Sequence, residues 1–181
     1  MNPLLLVIDM QNGFVNHNSD HVIANVVRLL ETFQSSSLPV AFTRFRNYDN
    51  SPWVRWIKWT RFITGPEIEL IASLQPPQGP VFDKTTYTSL TPELLAFTEK
   101  SGVDTFVLCG IATDGCVLKT AVDVFERGLQ PVVLADACAS HAGTAVHDAG
   151  LLLIRRFIGT SQVRTVDDFL SQLHNPRSDE I

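Results

Sequence analysis

A chain of 181 residues is long enough for one domain with a full hydrophobic core. Hydrophobic residues make up 45% and charged residues 18%, which excludes a disordered protein, and the net charge of −5 argues against a nucleic-acid partner. Three cysteines, an odd number, are typical of free thiols in a reducing compartment. The first residues lack a basic segment and no apolar run is long enough for a membrane span, so we expect a cytoplasmic protein without membrane contact.

Apolar patterns typical of strands and helices alternate along the chain. Leu4–Ile8 is a continuous apolar run, as in a strand buried on both faces. Similar reasoning predicts strands at 38–43, 81–83, 105–109, 131–135 and 162–166. Helices are predicted between residue 19 or 20 and the serines at 35–37, over 66–74, from Pro92 to Gly102, and over 114–127, 144–156 and 167–173.

This alternation predicts a three-layer α/β/α fold with a doubly wound, mostly parallel six-stranded sheet. We expect one domain over 1–174, with an irregular Trp- and Arg-rich insertion at 44–64 and a frayed tail at 175–181. In such sheets, ligands bind beyond the carboxyl ends of the strands, where the strand order reverses. Asp9 follows the first strand, Lys84 the third and Cys116 the fourth, so the three side chains are predicted to meet at one edge of the sheet.

The residue types at this edge indicate thiol chemistry. Cys116 falls in the first turn of a predicted helix, where unpaired N–H groups and the helix dipole favour the reactive thiolate. Lys84 can stabilise that thiolate, and Asp9 can accept the thiol proton and return it to a leaving group. The alternative is that Cys116 is a small buried apolar residue, Asp9 a cap and Lys84 a solvated lysine.

Four segments give the chain a resemblance to a known family. They read VIDMQNGF at 7–14, FDKTTYTSL at 82–90, LCGIATDGCVLKTAVD at 108–123 and VVLADACAS at 132–140. The chain thereby resembles the isochorismatase-like cysteine hydrolases, which include nicotinamidases and N-carbamoyl amide hydrolases. The resemblance implies a catalytic triad of Asp9, Lys84 and Cys116. It also implies an oxyanion hole formed by the backbone N–H groups of Ala112 and Cys116, with a cis peptide bond between Ile111 and Ala112.

The chain departs from the nicotinamidase pattern at the metal site. Nicotinamidases carry Asp-x-His after the second strand and a further histidine downstream, whereas this chain reads TRFRNYDN at 43–50 and has no histidine between His21 and His141. Imidazole is a usual ligand of zinc-type ions, so we expect no metal and no other cofactor. His17 and His21 are four residues apart, but a solvated helix entry explains this spacing better than a metal pair does.

The retained cysteine favours acyl transfer at a C–N bond, since vinyl ether hydrolysis of isochorismate needs no thiol. We therefore expect a metal-independent hydrolase that cleaves a small amide or carbamoyl substrate through a thioester-type intermediate. Two alternatives stay open: a nicotinamidase or isochorismatase with an altered site, and a non-catalytic ligand-binding protein of the same fold. The resemblance also suggests a homo-oligomer, either a dimer or a tetramer.

The segment 44–64 is predicted to set specificity. It carries five of the 14 basic residues against one acid, together with all three tryptophans. It could be a cap in which Arg44, Trp53 and Trp56 bind an anionic, partly apolar substrate, or a subunit contact, or both. Outside it, Phe14 and Tyr87 could line the pocket or simply pack. Gln11 could orient Asp9 or hold down its loop, and Thr113 is a candidate helix cap and substrate contact.

Overall fold

The computed structural model describes residues 1–174, so the tail predicted at 175–181 lies outside the described residues. Six parallel strands form one sheet in the order β3–β2–β1–β4–β5–β6. The strands are β1 (Pro3–Ile8), β2 (Val40–Phe45), β3 (Val81–Lys84), β4 (Thr105–Ile111), β5 (Gln130–Ala139) and β6 (Val163–Arg164). This is the predicted α/β fold, with the strand order reversing between β1 and β4.

Helices cover both faces of the sheet. They are α1 (Ile23–Ser35), α2 (Pro52–Ile57), α3 (Pro92–Lys100), α4 (Leu118–Glu126), α5 (Thr144–Ile158) and α6 (Val166–His174). Apolar residues of α1 and α6 pack on one face of the sheet, and those of α3, α4 and α5 pack on the other. Every residue of β1 and β4 is buried, which explains why these two strands read as continuous apolar runs.

The two central strands approach each other closely where β1 ends. Gly110 in β4 has φ +115°, and a Cβ atom there would lie 2.1 Å from the carbonyl oxygen of Ile8. Only glycine fits this contact. Asp9, the residue after Ile8, has φ 49°. The chain therefore leaves β1 at the point where the strand order reverses.

Several predicted boundaries are wrong for local reasons. The helix predicted over 66–74 is two short 3-10 turns, Pro66–Ile68 and Ala72–Leu74, because Leu70 between them forms a β-bridge with Gln11. The insertion at 44–64, predicted to be irregular, contains helix α2. The sequence does indicate where this helix begins, because Ser51 is a cap residue and is followed by Pro52. β2 is shifted by two residues from the predicted strand and β5 is four residues longer at its carboxyl end.

Within residues 1–174, no helix is both long and apolar enough to cross a membrane.

Candidate active site

Three side chains from different strands meet at the carboxyl edge of the sheet. The Lys84 Nζ atom lies 2.7 Å from Asp9 Oδ2 and 3.3 Å from Cys116 Sγ. All three residues are buried: the exposed fraction is 0% for Asp9, 3% for Lys84 and 8% for Cys116. The structure thus brings together the three residues that the strand-end rule predicted, with the ammonium between the carboxylate and the sulfur.

Further contacts hold the carboxylate and the ammonium in place. The Thr43 hydroxyl donates to Asp9 Oδ1 at 2.7 Å, and Lys84 Nζ donates to the carbonyl oxygens of Thr86 at 3.0 Å and Tyr87 at 3.4 Å. Thr43 was not among the predicted site residues, although it lies opposite Ile8 in the register of β1 and β2. An ammonium with four polar neighbours has a fixed position, which suits a group that stabilises charge on the sulfur.

The electrostatics of the site differ from the resting thiolate that the helix position suggested. The pKa of the Cys116 thiol is raised to about 12, first by burial and then by the Asp9 carboxylate, while Lys84 lowers it. Burial also disfavours the charge on Lys84, but the attraction of Asp9 and then Cys116 outweighs it and raises the pKa of the ammonium. At neutral pH the resting site therefore holds a charged lysine and a neutral thiol.

The nucleophile sits in an unusual turn. Residues Thr113–Val117 form one turn of π-helix ahead of α4, and the amides of Gly115 and Val117 donate to the Ala112 carbonyl oxygen. The peptide bond between Ile111 and Ala112 is cis, as the resemblance implied. Ala112 and Cys116, the two predicted oxyanion-hole residues, both line the same cavity.

Helix α5 supports this turn from behind. His147 Nδ1 and Thr113 Oγ1 are 2.8 Å apart, and Gly150, one turn further along α5, lies directly against the backbone of Asp114. Thr113 is fully buried and does not line the cavity, and it makes no side-chain cap to the turn. The predicted roles of Thr113 as a cap and as a substrate contact are therefore wrong; its hydroxyl ties the turn to α5.

Cys116 opens into a cavity of about 480 Å³ with largely aromatic walls. Of the predicted pocket residues, Phe14, Trp53 and Tyr87 line it. It is also lined by residues that the sequence analysis did not single out as contacts, namely Phe45, Ile57, Trp59, Arg61, Asp114 and His141. His141 lies in the loop after β5, so the strand-end rule could have identified it. Burial lowers the pKa of His141, which leaves a neutral imidazole at pH 7.

Three other predicted contacts lie elsewhere. Arg44 does not line the cavity: its guanidinium pairs with Asp83 and Glu69, each at 2.8 Å. Trp56 is 75% exposed and lies outside this cavity. The Gln11 side chain does not bond to the Asp9 carboxylate, although the Gln11 backbone amide donates to the Asp9 carbonyl oxygen at 2.7 Å. Its side chain bonds to the backbone of Phe45 and Ile68, which holds the loop after β1 against the end of β2.

The site does not fit the metal that nicotinamidases bind. At the carboxyl end of β2 the cavity is faced by the ring of Phe45, which lies 5.5 Å from Lys84 Nζ and packs on Trp53 at 4.9 Å between centroids. An aromatic ring cannot take the place of a carboxylate or imidazole ligand. Over residues 1–174, no three His, Cys, Asp or Glu side chains gather in a group that could hold a metal ion.

Known proteins with similar sequence or structure belong to one family. The family model described as the isochorismatase domain matches residues 3–167. Ureidoacrylate amidohydrolase RutB of Variovorax paradoxus is 29% identical, with 92% of this chain and 79% of that protein covered. Nicotinamidase 3 of Arabidopsis thaliana is 30% identical, with 82% and 78% covered. The crystal structure of N-carbamoylsarcosine amidase from Thermoplasma acidophilum superimposes with a TM-score of 0.79 at 27% identity, covering 92% of this chain and 98% of that one.

Proposed function

Because the chain belongs to the isochorismatase family, we propose that it is a metal-independent cysteine hydrolase that cleaves a C–N bond in a small amide or ureido compound. The observation that carries the proposal is the placement of Lys84 Nζ, 2.7 Å from Asp9 and 3.3 Å from the cavity-lining Cys116 sulfur. The relatives named for ureidoacrylate, nicotinamide and N-carbamoylsarcosine support a C–N bond as the target.

In the first half of the reaction, Cys116 attacks the substrate carbonyl carbon. Its thiol proton passes to the Asp9 carboxylate, which shares the Lys84 ammonium with the sulfur, as the C–S bond forms. Burial raises the pKa of the Cys116 thiol to about 12, so very little thiolate exists at neutral pH and transfer of the proton to Asp9 during attack is favoured. The negative carbonyl oxygen faces the N–H groups of Ala112 and Cys116. Collapse breaks the C–N bond, and Asp9 returns its proton to the departing ammonia or amine.

In the second half, water hydrolyses the thioester. Asp9, again a carboxylate, takes a proton from the water as its oxygen attacks the acyl carbon. The C–S bond then breaks, the acid product leaves, and the proton on Asp9 goes back to the Cys116 sulfur. Lys84 stays protonated throughout, because its raised pKa keeps it charged, and it stabilises the sulfur whenever that atom bears negative charge.

The walls of the cavity select a flat or apolar substrate with one acidic group at most. The aromatic lining of the cavity suits such a molecule. Among the described residues that line it, Arg61 is the only positively charged side chain, because the imidazole of His141 is neutral. The guanidinium of Arg61 is about half exposed and pairs with Glu67 at 2.8 Å. Arg61 therefore takes over the anion-binding role that the sequence analysis gave to Arg44.

Replacing Arg61 with Ala is expected to raise KM for succinamate about fivefold, with little change for the uncharged butyramide. The effect is modest because an exposed ion pair contributes little. The matched control is Arg44→Ala, which removes the same charge from the same segment and should leave KM for both amides within about twofold. An increase in KM for succinamate in Arg44→Ala and not in Arg61→Ala would reverse the assignment.

The covalent intermediate provides the test of the proposed reaction. A panel of primary amides and carbamoyl amino acids is screened for ammonia release, and the enzyme is then quenched with acid during turnover of the best substrate. We expect the intact mass to increase by the acyl group, and peptide mapping to place the adduct on Cys116. The buried Cys109 and Cys138 are internal controls in the same digest. Ammonia release without an adduct on Cys116 would contradict the mechanism, and no release from any compound would favour a ligand-binding protein.

A further inference from the structure

A second depression lies beside the catalytic cavity and shares three of its walls. It has a volume of about 520 Å³, and Trp53, Ile57 and Tyr87 line both spaces. The rings of Trp53 and Tyr87 are 5.6 Å apart between centroids. Trp56, which is also in α2, lines the second depression and does not line the catalytic cavity. We call this depression the aryl groove; it adjoins the catalytic cavity at Trp53, Ile57 and Tyr87.

The side chains of the aryl groove present apolar surface to solvent. Trp56 is 75% exposed, Ile57 62% and Tyr87 51%, which is unusual for such large side chains in one place. The polar groups along its edge already have partners: Lys119 is paired with Asp123, and the Thr86 hydroxyl donates to the Thr88 carbonyl oxygen. The one basic side chain among the groove's lining residues is therefore already paired, whereas an uncharged ring would cover exposed apolar area.

We propose that the aryl groove is a substrate subsite that binds an uncharged aryl or arylalkyl group attached to the scissile amide. This inference rests on the proposed amide hydrolysis, because it places the substrate carbonyl at Cys116 and lets the remainder extend past Trp53 and Tyr87. The position of the groove indicates its occupant: Trp53, Ile57 and Tyr87 line both the groove and the cavity that contains Cys116, so the rest of a ligand held at the sulfur can pack along these three side chains.

The groove is also connected to the triad. Thr86 and Tyr87 form part of its wall, and their carbonyl oxygens accept hydrogen bonds from Lys84 Nζ. A ring packed against this loop would therefore hold the ammonium more firmly beside the sulfur. For this reason we expect an aryl substituent to raise kcat as well as to lower KM.

Binding of a matched amide pair tests the subsite independently of turnover. Affinities of 4-phenylbutyramide and propionamide are measured by titration calorimetry with Cys116→Ala protein, which does not consume them, with and without the added Trp56→Ala change. We expect 4-phenylbutyramide to bind about tenfold more weakly when Trp56 is removed. As a control for the loss of an exposed aromatic side chain, Phe125→Ala, on the surface of α4, should leave its affinity unchanged. Equal affinity with and without Trp56 overturns the proposal.

Turnover and oligomeric state separate the remaining possibilities. In active protein, the ratio of kcat/KM for 4-phenylbutyramide over propionamide should exceed tenfold and fall about tenfold in Trp56→Ala. If no compound of the amide and carbamoyl panel is hydrolysed, the proposed function fails, and the calorimetric result alone decides the subsite. If light scattering shows that Trp56→Ala lowers the oligomeric state while binding of 4-phenylbutyramide is unchanged, the groove contacts a second copy of the chain and the proposal is overturned.

Discussion

Asp9→Asn is expected to lower kcat about 1,000-fold while making Cys116 react faster with iodoacetamide. The two effects have opposite signs because Asp9 acts in two ways. As a general base and acid it contributes to both halves of the reaction, and such a group is typically worth about 10²–10⁴-fold. As a fixed negative charge it raises the pKa of the Cys116 thiol. An amide in its place leaves Lys84 as the dominant charge beside the sulfur, which lowers that pKa.

The size of the labelling effect follows from the thiolate population. In the wild type, with a thiol pKa of about 12, the labelling rate of Cys116 should rise about tenfold per pH unit between pH 7 and pH 9. Each unit by which Asp9→Asn lowers the pKa gives tenfold more thiolate at pH 7. Labelling at pH 7 should therefore be at least tenfold faster in the variant, while ammonia release is nearly lost.

The measurement is peptide-mapped alkylation beside a kinetic assay on the same preparation. Asp83→Asn is the matched control, because Asp83 precedes Lys84 in β3 but pairs with Arg44 and Arg46 instead of Lys84. It should change neither the labelling rate nor kcat by more than about twofold. A wild-type labelling rate that does not vary between pH 7 and pH 9, or slower labelling in Asp9→Asn, would show that the resting site holds a thiolate and that the roles assigned to the charges are wrong.

The meeting of Asp9, Lys84 and Cys116 was predictable because it follows from topology. Parallel strands end at one edge of a sheet, and the three residues lie at or just beyond the ends of strands that were predicted from the sequence: Lys84 is the last residue of β3, and Asp9 and Cys116 follow β1 and β4. No side-chain orientation has to be known for this inference, only that β1, β3 and β4 run in the same direction. The same reasoning was available for His141 after β5, and it fails only where the predicted strand end is wrong.

The role predicted for Arg44 was wrong because the end of β2 was placed too early. β2 was predicted to stop at residue 43, which made Arg44 a loop residue free to reach the substrate, but the strand continues to Phe45. Side chains alternate along a strand, so Thr43 and Phe45 face the site while Arg44 points to the other face. There its register partner Asp83 holds it. The sequence shows that Arg44 is charged, but not to which face of the sheet its side chain points.

The protonation of Cys116 could not be predicted either, for a different reason. The position of Cys116 near the start of a helix favours a thiolate through the helix dipole, and this local effect can be predicted from the sequence. Burial opposes it by an effect that depends on the whole fold: the turn of Cys116 is covered by α5 and by the loop after β3. The larger of the two decides the resting state, and here it is burial, the first cause of the raised pKa.

Gly150→Ala is expected to lower the free energy of unfolding by about 2–3 kcal/mol and kcat by about 100-fold. Helix propensity alone predicts the opposite, since Ala in place of Gly inside a helix stabilises it by about 1 kcal/mol. The close contact with the nucleophile turn reverses the sign: a Cβ atom on Gly150 would lie 2.8 Å from the Asp114 nitrogen and 2.9 Å from its Cα. Backbone atoms cannot rotate aside, so either α5 or the turn that carries Cys116 must move.

Urea unfolding and steady-state kinetics measure the two effects separately. Ala149→Gly is the matched control, because it makes the reverse exchange at the adjacent, exposed position of α5. It should cost about 1 kcal/mol of stability through propensity alone and leave kcat unchanged. Should Gly150→Ala instead prove more stable than the wild type with full activity, the turn would tolerate displacement, and α5 would have no part in positioning the Cys116 sulfur. A loss of kcat in Gly150→Ala under conditions where the variant remains folded would tie the nucleophile's position to the backbone contact made by α5.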